Sequence, residues 1–261
     1  MTTLIRMELL KLRTTRLSYG LLATAAGLTL AFSLLEATRA GTTAVAPLST
    51  AAGLTAVITG ATLALLLAMV LGVTVSSGEF RHGTATATYL AVPQRNRVLA
   101  AKCVAAACAG AIFGFAGWLI ATGVGLGFVV SDGYAEPIGA ATMARYAAGH
   151  VLAGALLAAI GAGLGSLIRS QLAAVTGVLV WAIVIESVVG GLYNAVQPYL
   201  PYTAATTLAG STLGGAAFGP AHGAVSSSRP LPFAASVALL AAVSVVIAAI
   251  AARTTVGRDV S

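Results

Sequence analysis

The chain has 261 residues, of which 58% are hydrophobic and 8% are charged. A soluble domain carries about 25% charged residues, so these side chains are too few to cover a water-exposed surface. The net charge of +7 comes from basic residues that flank apolar runs, which fits a membrane better than a nucleic acid. Composition therefore predicts a membrane protein that has the lipid bilayer as a partner and binds no nucleic acid.

Six uncharged runs are each long enough to cross a hydrocarbon core, which takes about 20 helical residues. In chain order they lie at 17–35, within 47–77, within 103–130, at 146–168, from about 172 to 189, and at 231–252. The first run exceeds the roughly 7–15 apolar residues of a signal peptide, so we expect it to be retained. Strand-like alternation over ten-residue segments does not occur. We predict an all-α fold with six transmembrane helices in one domain, 1–261.

Residues 1–16 precede the first span. Ile5, Leu9 and Leu12 form a stripe with the spacing of a helix face. Three basic residues lie along the same segment: Lys11, Arg13 and Arg16. The segment is either an interfacial helix along the inner surface, with these side chains near lipid phosphates, or a cytoplasmic extension of the first span.

The distribution of basic residues predicts the orientation. Most Lys and Arg residues lie before the first span, between the second and third spans, and after the sixth span. The opposite side receives only Arg39, Arg145 and Arg229. Because cytoplasmic loops carry the excess of basic residues, we expect a multi-pass protein of the cell membrane with both termini in the cytoplasm.

The loop between the second and third spans, residues 78–102, reads GEFRHGTATATYLAVPQRNRVLAAK. Connections between packed helices commonly take about 2–8 residues, and this window is about three times longer. Its middle is compatible with a helix, and Pro93 would end that helix. We predict a short helix at the cytoplasmic face, held between two spans.

Residues 190–230 contain one charge, several glycines and four prolines, Pro198, Pro201, Pro220 and Pro230. A continuous spanning helix is poorly compatible with so many prolines. We predict short, broken helices that re-enter from the outer face before the sixth span, where protein or a watery cavity covers their backbone.

Catalytic groups are scarce in this sequence. The three histidines, His82, His150 and His222, have no metal-ligand spacing, and neither lysine lies in a phosphate-binding loop. We therefore expect no enzyme activity, no metal and no cofactor in this chain. An intramembrane hydrolase stays as an alternative, because a serine could meet His150 in space. Cys103 and Cys108 are either small buried side chains or a thiol pair.

The window resembles the loop of the ABC-2 type transporter permeases, the membrane subunits of ATP-driven exporters. The likeness lies in Gly78-Glu79, the pair Gly83-Thr84, the apolar patch that ends at Pro93, and the later Arg97 and Lys102. The N-terminal pattern MELLKLRTTR at 7–16, the six spans and the irregular segment before the sixth add to it. The resemblance covers nearly the whole chain.

This resemblance implies a permease subunit of an ABC transporter, with ATP and Mg bound on a separate ATP-binding cassette subunit present in two copies. It implies an N-terminal elbow helix and a coupling helix whose partner contacts are Glu79, Phe80, Arg81, Gly83, Thr84 and Tyr89. Three later basic residues, Arg95, Arg97 and Lys102, would face lipid phosphates or the partner, or serve only as positive-inside anchors.

The expected function is transport, with export implied by the resemblance, of an amphipathic or apolar substrate such as a drug, peptide antibiotic or lipid. The permease would work as a homodimer or as a heterodimer with a related permease. A secondary transporter or channel is the alternative, and such a protein would need ionisable residues along a pore. Small residues on the fourth span, Gly154, Ala158, Gly161, Gly163 and Gly165, serve either a dimer contact or internal packing.

Glu186 is the only acid within an otherwise apolar span. A carboxylate inside a membrane is usually paired, protonated or in contact with water. Three interpretations are open: a structural carboxyl bonded to Tyr193, Asn194 or the broken outer backbone, a substrate-gate residue, or a proton-linked site.

Overall fold

The computed structural model describes residues 1–43, 45–81, 94–168, 170–211 and 229–254. Within these ranges the regular structure is helical, and the β-type pairing is limited to one bridge between Ala40 and Val45. Six helical segments are long and apolar enough to cross a membrane. The predicted all-α fold with six spans is therefore confirmed.

The helices follow one another in chain order. Helix α1 is Thr2–Thr14, and α2, the first span, is Arg16–Arg39. The second span consists of α3, Ala51–Thr59, and α4, Thr62–Arg81, and the third is α5, Arg95–Ser131. The fourth span is α6, Ala140–Leu167. The fifth joins α7, Gln171–Leu179, a π-helical segment, Val180–Ile185, and α8, Glu186–Leu192. After a 3₁₀ turn, Gln197–Tyr199, come α9, Pro201–Leu208, and the sixth span, α10, Phe233–Thr254.

The second and fourth spans form the centre of the bundle. In the most apolar stretch of each of these two spans, 83% and 61% of the residues are buried. In the corresponding stretch of the sixth span, 11% are buried. Glycines allow α4 and α6 to approach at backbone distance: a Cβ added at Gly72 would collide with the Ala158 carbonyl oxygen, and one at Gly161 with that of Met69. Close helix approach through small residues is how membrane helices gain packing contacts.

The small residues of α6 are thus used inside the chain. Gly154 lies against the backbone of Gly110 on α5, and Gly165 lies against Val73 on α4. Gly163 faces the Ile247 side chain on α10. Of the two interpretations of this stripe, the contacts fit internal packing, because three neighbouring helices already cover it.

The second span is interrupted between Thr59 and Thr62. Around the break the N–H groups of Gly60 and Ala61 donate to carbonyls three residues earlier instead of four. The hydroxyl of Ser33 on α2 donates to the Val57 carbonyl at 3.1 Å, so this carbonyl keeps a second partner where the α-helical pattern is lost.

The spans alternate in direction, so one end of the bundle collects α1, the end of α4, the start of α5 and the ends of α6 and α10. We call it the basic end. There Leu99 on α5 packs with Leu167, Ala251 and Ala252 from α6 and α10. The connection from α4 to α5 is shorter than the predicted loop 78–102, because α4 continues to Arg81 and α5 already begins at Arg95. Arg, Leu, Ala and Lys are strong helix formers, which accounts for the early start of α5.

Helix α9 lies inside the bundle. Its buried residues Tyr202, Ala205 and Leu208 belong to a hydrophobic cluster with Leu157 of α6 and Leu240 of α10. The carbonyl of Leu208 touches α6 at Gly149, where a Cβ would collide with it. Within the predicted segment 190–230, helix α9 is therefore a packed part of the core, whereas most of residues 191–199 are exposed.

Candidate functional site

The Glu186 carboxylate is the centre of a buried polar cluster. Glu186 is 3% exposed and begins α8. Its Oε1 accepts a hydrogen bond from the backbone N–H of Tyr202 at 2.8 Å, and its Oε2 accepts from the N–H of Thr203 at 2.8 Å. The Thr203 hydroxyl, at 3.0 Å, is a third donor. The acid of the fifth span therefore caps the N-terminus of α9.

This cap replaces one that the local sequence does not provide. The residue before α9 is Leu200, which has no side-chain acceptor, and the first helical residue is Pro201, which has no N–H. The N–H groups of Tyr202 and Thr203 would be left without partners in an apolar core, at a cost of about 1–3 kcal/mol each. Glu186 accepts from both of them. The next N–H, that of Ala204, already donates to the Leu200 carbonyl.

The π-helical segment brings a fourth donor to the same carboxylate. Trp181 Nε1 donates to Glu186 Oε1 at 3.0 Å, and the Glu186 N–H donates to the Trp181 carbonyl. Residues five apart are about 140° apart around an α-helix, whereas the i to i+5 register of a π-helix places them on one face. The widened turn therefore allows the indole to reach the acid.

The cluster extends to the break in the second span. The Tyr202 hydroxyl donates to the Thr62 carbonyl oxygen at 3.1 Å, and both residues are buried. Helix α9 is thus tied at its N-terminus to the fifth span by Glu186 and to the second span by Tyr202. Three elements therefore meet at this place: the break between α3 and α4, the π-helical segment, and the N-terminus of α9.

The partners of Glu186 among the described residues are all neutral donors. Four of them share the two oxygens, and the N-terminus of α9 adds the positive end of its helix dipole. The described hydrogen bonds of Glu186 do not go to Tyr193 or Asn194 but to the backbone and side chains of α9 and to Trp181.

A second buried carboxylate lies at the basic end. Glu8 of α1 is 6% exposed, and its oxygens contact Lys11 Nζ at 2.8 Å and Lys102 Nζ at 3.3 Å. Lys102 is itself 4% exposed. From the sequence, Lys102 was predicted to face lipid phosphates or a partner, or to serve only as a positive-inside anchor. It instead lies between α1 and α5, because Leu12 and Cys103 pack into the same hydrophobic cluster and the ammonium finds its counter-charge on Glu8.

The other expected site residues are spread over the basic end. Arg13, Arg16 and Arg97 are exposed, and Lys11 is about half exposed. Glu79, Phe80 and Arg81 lie in the last turn of α4, and Arg95 begins α5. Gly83, Thr84 and Tyr89, and with them the predicted short helix of the loop, lie outside the described residues.

Four residues of these two sites were not predicted from the sequence: Glu8, Trp181, Tyr202 and Thr203. The signal for Glu8 was available, since it is the only acid before Glu36 and stands three residues from Lys11. Leu200-Pro201 marks a helix start without a capping side chain, but a remote acceptor for it is visible only in three dimensions.

Comparisons with known proteins give no further guidance. No protein-family model matches the chain, and no curated protein matches it. The assignment of a function therefore rests on this chain's own residues.

Proposed function

We propose that the chain is the permease subunit of an ABC transporter of the ABC-2 type. It exports an amphipathic or apolar substrate across the cell membrane as a homodimer, or as a heterodimer with a related permease. ATP hydrolysis takes place on two copies of a separate ATP-binding subunit. Both termini are cytoplasmic, so the basic end faces the cytoplasm, and α9 belongs to a re-entrant segment on the outer side.

The main support for the proposal is the length of α5 and the way its first turns pack against other helices at the basic end. Helix α5 has 37 residues, so it is about 55 Å long and exceeds the roughly 30 Å of a hydrocarbon core. Its first two turns are held by α1 on one side and by the ends of α6 and α10 on the other. A force applied to the segment between α4 and α5 would therefore reach four helices. Such an arm suits a subunit driven from outside the membrane.

The alternatives have less support in the described residues. A secondary transporter or channel needs ionisable groups along a pathway, whereas the oxygens of Glu186 are already occupied by four donors. An intramembrane hydrolase needs a base that contacts a nucleophile. His150 is 1% exposed, its Nδ1 contacts the Tyr146 carbonyl, and its Nε2 contacts no hydroxyl in the described part of the chain.

The dimer contact is expected on the outer spans. The small residues of α6 are covered by α4, α5 and α10. The first, fifth and sixth spans are mostly exposed in the single chain. Only 22%, 22% and 11% of the residues in their most apolar stretches are buried. A second copy or a related permease would cover part of this surface, and lipid would cover the rest.

Purification tests the proposal. The tagged chain, extracted from the membranes of its own cells, is expected to carry an ATP-binding subunit in equal amount, and the eluate is expected to hydrolyse ATP in a substrate-dependent way. Glu79→Ala and Gly83→Trp are expected to lower the stimulated hydrolysis before they lower the amount of folded permease. A purified chain that transports without any ATP-binding subunit would contradict the proposal.

Cysteine labelling tests the orientation. In a background without Cys103 and Cys108, a Cys at Asn194 is expected to react with an impermeant thiol reagent on intact cells. A Cys at Gln94 is expected to react only after the membrane is opened. Both positions are exposed, so burial does not confuse the comparison. The reverse pattern would place the basic end outside.

Glu186 is retained as a candidate gate residue. If the carboxylate only holds α9, variants at Glu186 lose transport in proportion to lost protein. If α9 moves during export, Glu186→Gln is expected to change transport per folded molecule or the substrate preference. Membrane abundance and transport, measured on the same samples, separate these cases.

A further inference from the structure

The ionic contact between α1 and α5 is buried. Glu8 and Lys102 are 94 positions apart in sequence, and each exposes less than a tenth of its surface. Lys11, the second partner of Glu8, comes from the same helix as Glu8 and its side chain is 49% exposed. The contact that joins two helices is therefore the one with Lys102, and it lies away from water.

Packing alone does not fix how α1 is rotated. Apolar side chains occur around most of this helix: Leu12 faces the bundle, whereas Met7 and Leu10 are more than half exposed. Hydrophobic contact is non-directional, so another rotation would bury a similar area. The Glu8–Lys102 contact has a direction, and it selects the rotation in which the only acid of α1 points inward. A single buried polar pair that selects one register among several is a known use of such pairs.

Lys102 also lies close to the segment that the proposed function makes important. It follows Arg95, the first residue of α5, by seven positions, or about 10 Å along one rigid helix. Its neighbours in sequence, Leu99 and Cys103, pack against Leu167 and Ala252 at the ends of α6 and α10. A displacement of α5 at its first turn is therefore felt by α1 through Glu8 and by two spans through apolar contacts.

We propose that Glu8 and Lys102 are positioning residues that lock α1 to the start of α5 and so set the position of the first turn of α5 for the ATP-binding partner. This inference rests on the proposed function. It adds that the N-terminal helix takes part in coupling through one ion pair, beyond any contact of α1 with lipid.

Four variants of the full chain test the lock: Glu8→Gln, Lys102→Met, the combination of both, and Lys11→Met as a matched control on the exposed partner of Glu8. The first measurement is the melting temperature of the purified permease, which needs no partner. Each of the first two variants is expected to lower it, because the remaining buried charge loses one of its oppositely charged contacts. The combination is expected to recover most of the loss, and Lys11→Met to lower it least.

The second measurement is the number of substrate molecules transported per ATP hydrolysed by the assembled complex. The neutral combination is expected to assemble normally and yet to lose at least about five-fold in this ratio, which a merely structural pair would not do. A ratio equal to that of the wild type would overturn the positioning role. Melting temperatures of the single variants equal to that of the wild type would overturn the lock itself.

A failure of the proposed function is recognised separately. If the wild-type chain carries no ATP-binding subunit, the coupling role falls with the proposed function, and this is seen before any variant is made. The melting temperatures of the four variants still decide whether Glu8 and Lys102 lock α1 to α5.

Discussion

Two carboxylates are buried in the part of the chain that the structure describes, and they are stabilised in different ways. Glu8 at the basic end contacts two lysines, whereas Glu186 is held by the N-terminus of α9, a hydroxyl and an indole. The acid at the basic end has charged partners from two helices, α1 and α5. The partners of Glu186 are neutral donors and the positive end of a helix dipole, which bring no second charge into the apolar spans.

This difference decides whether a second substitution can compensate for the loss of each acid. The partner of Glu8 on α5 is a side chain and can be replaced together with it. Two of the partners of Glu186 are backbone N–H groups, and no substitution removes them without changing the backbone. An ion pair between side chains is therefore replaceable as a unit, and a carboxylate that caps a helix is not.

The largest effect is expected for Glu186→Leu. It leaves the N–H groups of Tyr202 and Thr203 and the indole N–H of Trp181 without an acceptor, at a total cost of about 3–9 kcal/mol in stability. Glu186→Gln is expected to lose about half as much, because its single carbonyl oxygen serves one side of the site and its amide group faces an N–H on the other. Unfolding of the purified protein measures both. A leucine variant as stable as the wild type would show that the cap contributes nothing.

Next in size is the replacement of the ion pair by apolar side chains. Lys102→Leu alone is expected to cost about 2–4 kcal/mol, because among the described residues Glu8 then keeps the half-exposed Lys11 as its counter-charge. Adding Glu8→Leu is expected to return the stability to within about 1 kcal/mol of the wild type. The same unfolding assay applies. If the double variant is as unstable as the single one, the two acids do not differ in the way described.

A serine placed before α9 is expected to have a smaller effect on stability, and the sign of this effect is expected to depend on whether Glu186 is present. In the Glu186→Leu background, Leu200→Ser is expected to restore about 1 kcal/mol, since a serine at the N-cap accepts from the first turn of α9. In the wild type the same substitution is expected to destabilise, because Leu200 is buried and its apolar contacts are lost. Equal effects in both backgrounds would argue against a capping role for Glu186.

The smallest effect is expected for Trp181→Phe, which removes one of four donors and costs about 1 kcal/mol. Trp118→Phe is the matched control. The Nε1 of Trp118 is buried and has no partner within the described residues, so loss of its N–H is expected to cost less. Comparing the two substitutions isolates the hydrogen bond from the change in ring size. A larger loss for Trp118→Phe would contradict the assignment.

The spans were predictable because each is set by a local property. Residues 17–35 and 231–252 carry no charge over a membrane thickness, and the structure has Arg16–Arg39 and Phe233–Thr254 there. The interruption at Gly60 was not predicted. A lone glycine in an apolar helix is tolerated, and the side chains that bind carbonyls near the break come from other helices, Ser33 from α2 and Tyr202 from α9.

The candidate site was predictable only in part. The apolar run around Glu186 showed that its carboxylate needs partners, and the sequence offered the nearby Tyr193 and Asn194 as well as the broken backbone. Tyr202 and Thr203 are 16 and 17 positions away, beyond the reach of local reasoning. Lys102 was expected at the interface because basic residues at span ends usually anchor there, and its partner Glu8 is 94 positions away.

The sequence alone predicts six helices long and apolar enough to cross a membrane, and it shows where the charges concentrate and which acid lies within an apolar run. These follow from the cost of placing charges and unpaired backbone groups in hydrocarbon, which applies to each segment separately. The tertiary structure decided which glycines meet which helices, where the second and fifth spans depart from α-helical geometry, and which groups stabilise Glu8 and Glu186. Those outcomes depend on directional contacts between distant segments, and only the packed bundle brings the segments together.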